Sequence, residues 1–160
     1  MPGSPGYAAD EAVTNPTVFM LWNALEGLGG TLYADGMTTY KGLNPYRKLP
    51  GHGQSVLVYP ASSSYAEPVS SLRLEAIRDG VEDADLARLL VKRKGRGALA
   101  RILQKEGILS IRKGKVQLAC TSGCDLVGRT KFAFPRYRQD AGTADALVRV
   151  HRALLAALAG

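Results

Sequence analysis

The chain has 160 residues, 46% of them apolar and 22% charged, with a net charge of +7. That length and balance fit one globular domain with tails, and they exclude wholesale disorder and collagen-like repeats. No run of eighteen apolar residues is present, so no membrane span is expected. The first ten residues lack the basic patch and apolar run of a signal peptide, so an exported parent would carry its signal upstream. Charge is uneven: residues 1–91 hold 6 basic and 10 acidic side chains, residues 92–160 hold 15 and 4. Such a basic half invites a nucleic-acid or anionic-surface reading, but no nucleic-acid motif accompanies it, and a solvated basic face is the expectation.

Residues 1–14 hold Pro and Gly and little periodic pattern, and read as a flexible tail. Asn15-Pro16-Thr17 is a helix start with Pro in the first turn. Residues 17–27 are nearly all apolar and predict a buried helix, ended by Gly27, Gly29 and Gly30. Phe19, Met20 and Trp22 sit in it as core residues. Thr31 to Ala34 reads as a short buried strand, and residues 36–54 as a long, Gly- and Pro-punctuated loop. Ser55 to Tyr59 is the clearest strand, ended by Pro60 and the Ser/Ala-rich residues 61–66.

The longest helix opens at Ser70-Ser71 and runs to about Lys92, with either Ser71, toward Leu74, or Ser70, with the nearby acids, as its cap. Leu74, Ile77, Val81 and Ala84 form one apolar stripe. Leu86, Leu89 and Leu90 lie half a turn away, which predicts burial on two sides or a bend near Gly80. Lys92 to Arg96 is a basic break. Residues 98–106 read as a short helix, 108–112 and 115–119 as a hairpin around Lys113-Gly114, and Thr143 to Leu158 as a last helix.

Strong catalytic motifs are absent: no phosphate loop, no dinucleotide fingerprint, no zinc-protease helix and no nucleophile elbow. Cys120 and Cys124 are four apart and too few for a structural zinc site unless His52 or His151 joins them, and they otherwise read as free thiols or a local disulfide. His52 lies in a Gly-flanked loop. His151 falls on the apolar face of the last helix and reads as a half-buried packing residue. Glu75, Asp79 and Glu82 share a helix face, the arrangement of an acid/base pair. Arg73 and Arg78 interleave with them, and Arg78 stands three residues from Glu75 and four from Glu82. Cations so placed keep carboxylates ionised, which predicts a structural ion-pair net rather than a general acid.

The string Gly53-Gln-Ser-Val-Leu-Val-Tyr-Pro60, followed by Pro68-Val-Ser-Ser-Leu-Arg-Leu-Glu-Ala-Ile-Arg-Asp-Gly-Val-Glu-Asp83, resembles the C-terminal signature of glycoside hydrolase family 123. That signature is an apolar strand ending Tyr-Pro-Gly, then Ser-x-Arg-Leu-Glu-x-x-Arg-Asp-Gly-x-Glu-Asp. Arg73, Leu74, Glu75, Arg78, Asp79, Gly80, Glu82 and Asp83 match it. Residues 19–33 look like the helix and strand that precede the signature, Asn44-Pro45-Tyr46 like its Asn-Pro-Trp loop, and Tyr137-Arg138-Gln139-Asp140 like its Tyr-Thr-Arg-Asp. The region 95–130 has no counterpart and reads as an insertion.

The resemblance implies an α/β fold, the C-terminal portion of a (β/α)8 TIM-type barrel with a small hairpin insertion and a C-terminal helix. Residues 15–92 would be barrel-closing units and 93–160 an extension. It also implies a parent that hydrolyses N-acetylhexosaminides, as β-N-acetylgalactosaminidases do. The substrate's own acetamido group would act as nucleophile, without metal or organic cofactor. The assisting Asp-Glu pair is not in this chain, so no catalytic residue is assigned and the chain is expected to be inactive alone. The barrel would need about 250 residues. The Trp that often follows the family's strand tyrosine is replaced after Tyr33 by Ala34-Asp35.

Residues at the C-terminal ends of barrel strands face the active site. Tyr33, Asp35, Tyr40 and Tyr59 are therefore the pocket candidates, with a glycan as partner. Arg73, Glu75, Arg78, Asp79, Glu82 and Asp83 are signature residues with structural roles, Arg73 and Glu75 placed to hold the loops. Two readings compete: a nucleic-acid-binding module through the basic residues 92–115, and a non-catalytic carbohydrate-binding relative.

Overall fold

The computed structural model describes residues 13–30, 40, 42–48, 56–112, 115–118 and 143–160. The order is α1 (Asn15–Glu26), β1 (Val58–Tyr59), β2 (Val69–Ser70), α2 (Leu72–Lys94), α3 (Arg96–Lys105), β3 (Leu109–Arg112), β4 (Lys115–Leu118) and α4 (Thr143–Ala159). The fold is mixed and mostly helical. Both ladders are antiparallel and two-stranded: β1 with β2, and β3 with β4.

Helix α1 is apolar on nearly every side, and ten of its twelve residues are buried. A helix of that pattern has to lie inside the molecule. It opens with Pro in the first turn and ends at Gly27, whose φ of 75° is left-handed. The Leu28 amide reaches back to the Asn23 carbonyl at 2.9 Å. This closing turn needs a residue that accepts positive φ, which glycine does without steric penalty.

Helix α2 starts at Leu72, with Ser71 as its cap: the Ser71 Oγ accepts from the Leu74 amide at 3.2 Å. It runs without a break through Gly80 to Lys94. Its buried face carries Gly80, Asp83, Ala84, Ala87 and Leu90. Val81, expected on the inner stripe, is 43% exposed, and Leu89 is also exposed. Ala84 is buried as the stripe predicts, and the apolar count misses Gly80 and Ala87 because they are small. Small residues let α1 approach closely: a Cβ added to Gly80 would lie 2.8 Å from the Thr17 Cα. Thr17 Oγ1 then donates to the Ala76 carbonyl at 3.0 Å, stitching the two helices where they nearly touch.

Helix α3 contributes Leu99 and Leu103 to the core, and α4 contributes Ala146, Leu147, Val150 and Leu154. These join Leu21, Leu25 and Leu90 in one buried cluster. Ion pairs fasten its edge, Arg96 to Glu26 and Arg149 to Glu106, each at 2.7 Å. The hairpin β3–β4 aligns Ser110 with Gln117 and Ile111 with Val116.

Of the strand expected over 55–59, Val58 and Tyr59 form a two-residue ladder. Its partner is Val69–Ser70, where the helix was expected to begin. The chain folds back after Pro60 through a turn closed by Ser62 and Tyr65, whose backbones bond at 2.8 and 3.2 Å. The strand expected over 31–34 lies outside the described residues.

Candidate functional site

The signature residues converge on the start of α2. Arg73 Nη2 donates to the Val56 carbonyl at 2.6 Å, tying the helix to the segment that leads into β1. The Ser71 amide donates to the Leu57 carbonyl at 2.8 Å, a second tie to the same segment. One turn on, Arg78 meets Glu75 at 2.7 Å, Asp79 at 3.3 Å and Glu82 at 4.0 Å. The hydrogen bond that Arg78 donates to Asp79 and the charges of Glu75 and Asp79 push the pKa of the Arg78 guanidinium above its ordinary value. This is the ion-pair net read from the spacing. All four side chains are well exposed, so water screens the net and it adds little stability.

Beside this anchor lies a recess of about 390 Å³. Tyr46, Tyr59 and Tyr65 line it together with Ser70, Ser71 and Arg73. The three rings stand in a row. Tyr46 and Tyr65 are stacked with centroids 6.1 Å apart and planes 13° apart, and Tyr46 and Tyr59 are 5.3 Å apart and tilted by 41°. Local chemistry sets Tyr46 in place. Asn44 Oδ1 accepts from the Tyr46 amide at 3.0 Å, an Asx turn that presents the ring, and the Tyr46 hydroxyl donates to the Pro60 carbonyl at 2.6 Å. Tyr65 follows the turn that begins at Ser62, whose Oγ accepts from the Ser64 amide at 3.2 Å.

A second feature joins α2 to α4. Asp83 is 5% exposed, and its Oδ1 lies 2.6 Å from Nδ1 of the half-exposed His151. His151 is therefore a hydrogen-bonding partner of a buried carboxyl, not the packing residue expected from its helix face. The pair lines a groove of about 560 Å³ whose apolar lining includes Leu72, Ala76 and Leu147. Glu75, Asp79, Glu82 and Arg152 are its other charged walls.

Burial pushes the Asp83 carboxyl above its ordinary value. The hydrogen bond and charge of His151 oppose that, while Asp79 and Glu82 add to it. A raised value means that folding favours the protonated form. The stability this group contributes is complete below its unfolded value of 3.8 and is lost as pH rises through the folded value. Asp83→Asn removes the titration and keeps an acceptor for His151. The unfolding free energy of the wild type, relative to that variant, is expected to fall as pH rises from about 3 to about 7. Paired denaturant titrations at each pH measure it; a flat difference would show that the carboxyl does not titrate differently on folding.

Of the expected pocket residues, Tyr59 lines the recess. Tyr40 donates its hydroxyl to the Val58 carbonyl at 2.8 Å and so braces β1. Tyr33 and Asp35 lie outside the described residues, as do His52, Cys120 and Cys124. Tyr46 was visible only as part of a loop motif, and Tyr65 stood in a segment read as a strand terminator. The usable signal for both was an aromatic residue inside a turn-rich stretch flanking the strand.

The basic break expected over residues 92–96 is mostly helical: α2 runs through Lys94 and α3 begins at Arg96. In it Arg93 donates to the Leu158 carbonyl at 3.2 Å and Arg96 pairs with Glu26, so both side chains make contacts within the fold. Among the described residues no group of three or more His, Cys, Asp or Glu is placed to hold a metal ion, and no helix is long and apolar enough to cross a membrane.

No protein-family model, no curated protein and no solved structure matches the chain.

Proposed function

We propose that the chain is the closing portion of a family-123-like glycoside hydrolase domain and forms part of the wall of its sugar pocket. The observation that carries this is the row of three tyrosines at the end of β1, held beside the signature arginine Arg73. Apolar sugar faces stack on aromatic rings, and rings with polar tips suit a surface that is partly wet. The strand end is also where a barrel of this kind gathers its substrate contacts.

In this reading the signature has a mechanical purpose. Ser71 and Arg73 fix the first turn of α2 against the segment entering β1, so Tyr59 is held in one place relative to the loop tyrosines. No carboxylate is among the described residues that line the recess, and in this reading the wall binds and orients the sugar. The acid and the group that steadies the acetamido nucleophile would come from the rest of the barrel. The barrel assignment itself rests on the residue string.

The test starts with the coding sequence upstream of Met1. An in-frame segment carrying an Asp-Glu pair is expected. The joined protein should then release nitrophenol from a 4-nitrophenyl N-acetyl-β-hexosaminide, while the 160-residue chain alone should not. Tyr59→Ala in the joined protein should raise KM about tenfold with a smaller change in kcat, the pattern of lost ground-state binding. Absence of any in-frame barrel half, or a joined protein without turnover on such substrates, would overturn the reading.

A further inference from the structure

The groove shared by α2 and α4 holds an imidazole fixed from one side. The buried Asp83 carboxyl meets Nδ1 of His151 at 2.6 Å, and an ionised carboxylate accepts hydrogen bonds without donating any. Nδ1 therefore carries the proton, and the neutral ring presents Nε2 as an acceptor. Nε2 has no hydrogen-bond partner among the described residues, and the half-exposed ring lines the groove. The surrounding lining is apolar and open: Val13, Leu72 and Val148 are 45%, 78% and 51% exposed. Large apolar side chains gathered in one open concavity mark a binding surface. A volume of about 560 Å³ suits a small molecule, whose sites span roughly 300–1,000 Å³.

Charge sets the sign of the ligand. Glu75, Asp79 and Glu82 line the groove together with Asp83. Arg78 is the guanidinium that pairs with the first three, and Arg152 lines the groove from α4. Four carboxylates against two guanidinium groups leave the groove negative while His151 is neutral. From α1 and the residues before it come Val13, Thr14 and Thr17, which carry no charge.

We propose that this groove binds an organic ammonium with an apolar body. The body covers Leu72 and Val148, and the ammonium donates to Nε2 of His151. The carboxylates of α2 supply the field that favours the cation. An ammonium has three donors and no acceptor, which matches a site offering Nε2 and carboxylate oxygens. An alcohol of the same shape keeps the apolar contact and the bond to Nε2 and gains nothing from the field. A carboxylate of the same shape meets like charge.

Amide-correlation NMR titrations of the 160-residue chain with phenylbutylamine, phenylbutanol and phenylbutyrate test this. At neutral pH and about 20 mM NaCl the amine should bind roughly tenfold tighter than the alcohol, with the acid weakest and the shifts centred on the α2 and α4 residues of the groove. The advantage should shrink to about threefold at about 0.5 M NaCl, because Asp79 and Glu82 are exposed and screened. Protonation of His151 makes Nε2 a donor and adds a positive charge. Lowering the pH from about 7.5 to about 5.5 should therefore weaken the amine about fivefold and leave the alcohol, which both donates and accepts, nearly unchanged. Leu72→Ala, a change at an exposed side chain, should weaken amine and alcohol alike by about threefold. Asp79→Asn combined with Glu82→Gln should weaken the amine and spare the alcohol.

Equal affinities for amine and alcohol would overturn the proposal, as would tighter binding of the acid or shifts centred away from the groove. Binding of none of the three at up to about 10 mM would overturn it as well. A dimer in light scattering that Leu72→Ala dissociates would overturn it by placing a second copy in the groove. An amphipathic Leu/Lys peptide that displaces the amine at a tenth of the amine's concentration would overturn it by making the occupant a protein.

Discussion

Gly80→Val should cost about 3 kcal/mol of unfolding free energy, near the upper end of what overpacking does in a close-packed interior. The added Cβ would sit 2.8 Å from the Thr17 Cα, 3.2 Å from the Met20 Cγ and 3.3 Å from the Pro16 carbonyl oxygen. Two of those three atoms are backbone of α1, so no rotamer change can clear them. The two helices would have to separate, and the Thr17 to Ala76 hydrogen bond would stretch with them.

Gly80→Ala is the sharper control. On an exposed helix it would stabilise by about 1 kcal/mol through propensity. Here the same 2.8 Å contact opposes that gain. Alanine should therefore be less stable than glycine, and valine less stable than alanine. Equilibrium urea unfolding of the three proteins gives the order. An alanine variant more stable than the wild type would show that α1 yields at this contact.

The second large effect is expected at Leu90. It is fully buried and belongs to the cluster that also holds Leu99, Leu103, Val150 and Leu154, so it serves three helices at once. Leu90→Ala should cost about 3 kcal/mol, from lost transfer energy and from the cavity left behind. Against the 5–15 kcal/mol typical of a domain, that is a large share. Leu89, one residue earlier, is 39% exposed, and Leu89→Ala should cost only about 0.5 kcal/mol. The pair calibrates the helix face directly. A loss below about 1 kcal/mol at Leu90 would mean that the surrounding helices collapse onto the vacated space.

The proposed pocket depends on the same packing. α2 carries Arg73 on its first turn and Leu90 near its far end, and it is fixed along its length by α1, α3 and α4. A helix so held keeps its N-terminal turn at a constant distance from β1. The functional reading therefore links the stability variants to the sugar-binding ones: a loosened α2 should blur the recess before the chain unfolds.

Features that depend on residues within four positions of one another were legible in the sequence. Pro16 and Gly27 mark the two ends of α1, and its unbroken apolar run marks it as buried. Ser71 and Leu74 are three apart, and the cap forms as that spacing requires. Arg78 stands within one helical turn of Glu75 and about one turn from Glu82, and the ion-pair net follows from helix geometry alone. The β3–β4 hairpin needs only two alternating runs and a turn between them.

The features that matter most for a site were settled by tertiary packing. Counting apolar residues pointed α2 inward through Val81. Ala84 is buried as that stripe predicts, but the packed face also takes in Gly80 and Ala87, because close approach to α1 at Gly80 favours small side chains over large ones. Asp83 and His151 are 68 residues apart, and neither the buried carboxyl nor its partner is visible until α4 lies on α2. Tyr46 and Tyr65 belong to separate turns, and their stacking depends on how the chain doubles back after Pro60. Local patterns follow from backbone sterics and short hydrogen bonds, which a few neighbouring residues set. Which distant side chains meet depends on how the helices pack as a whole, and that is where the recess is made.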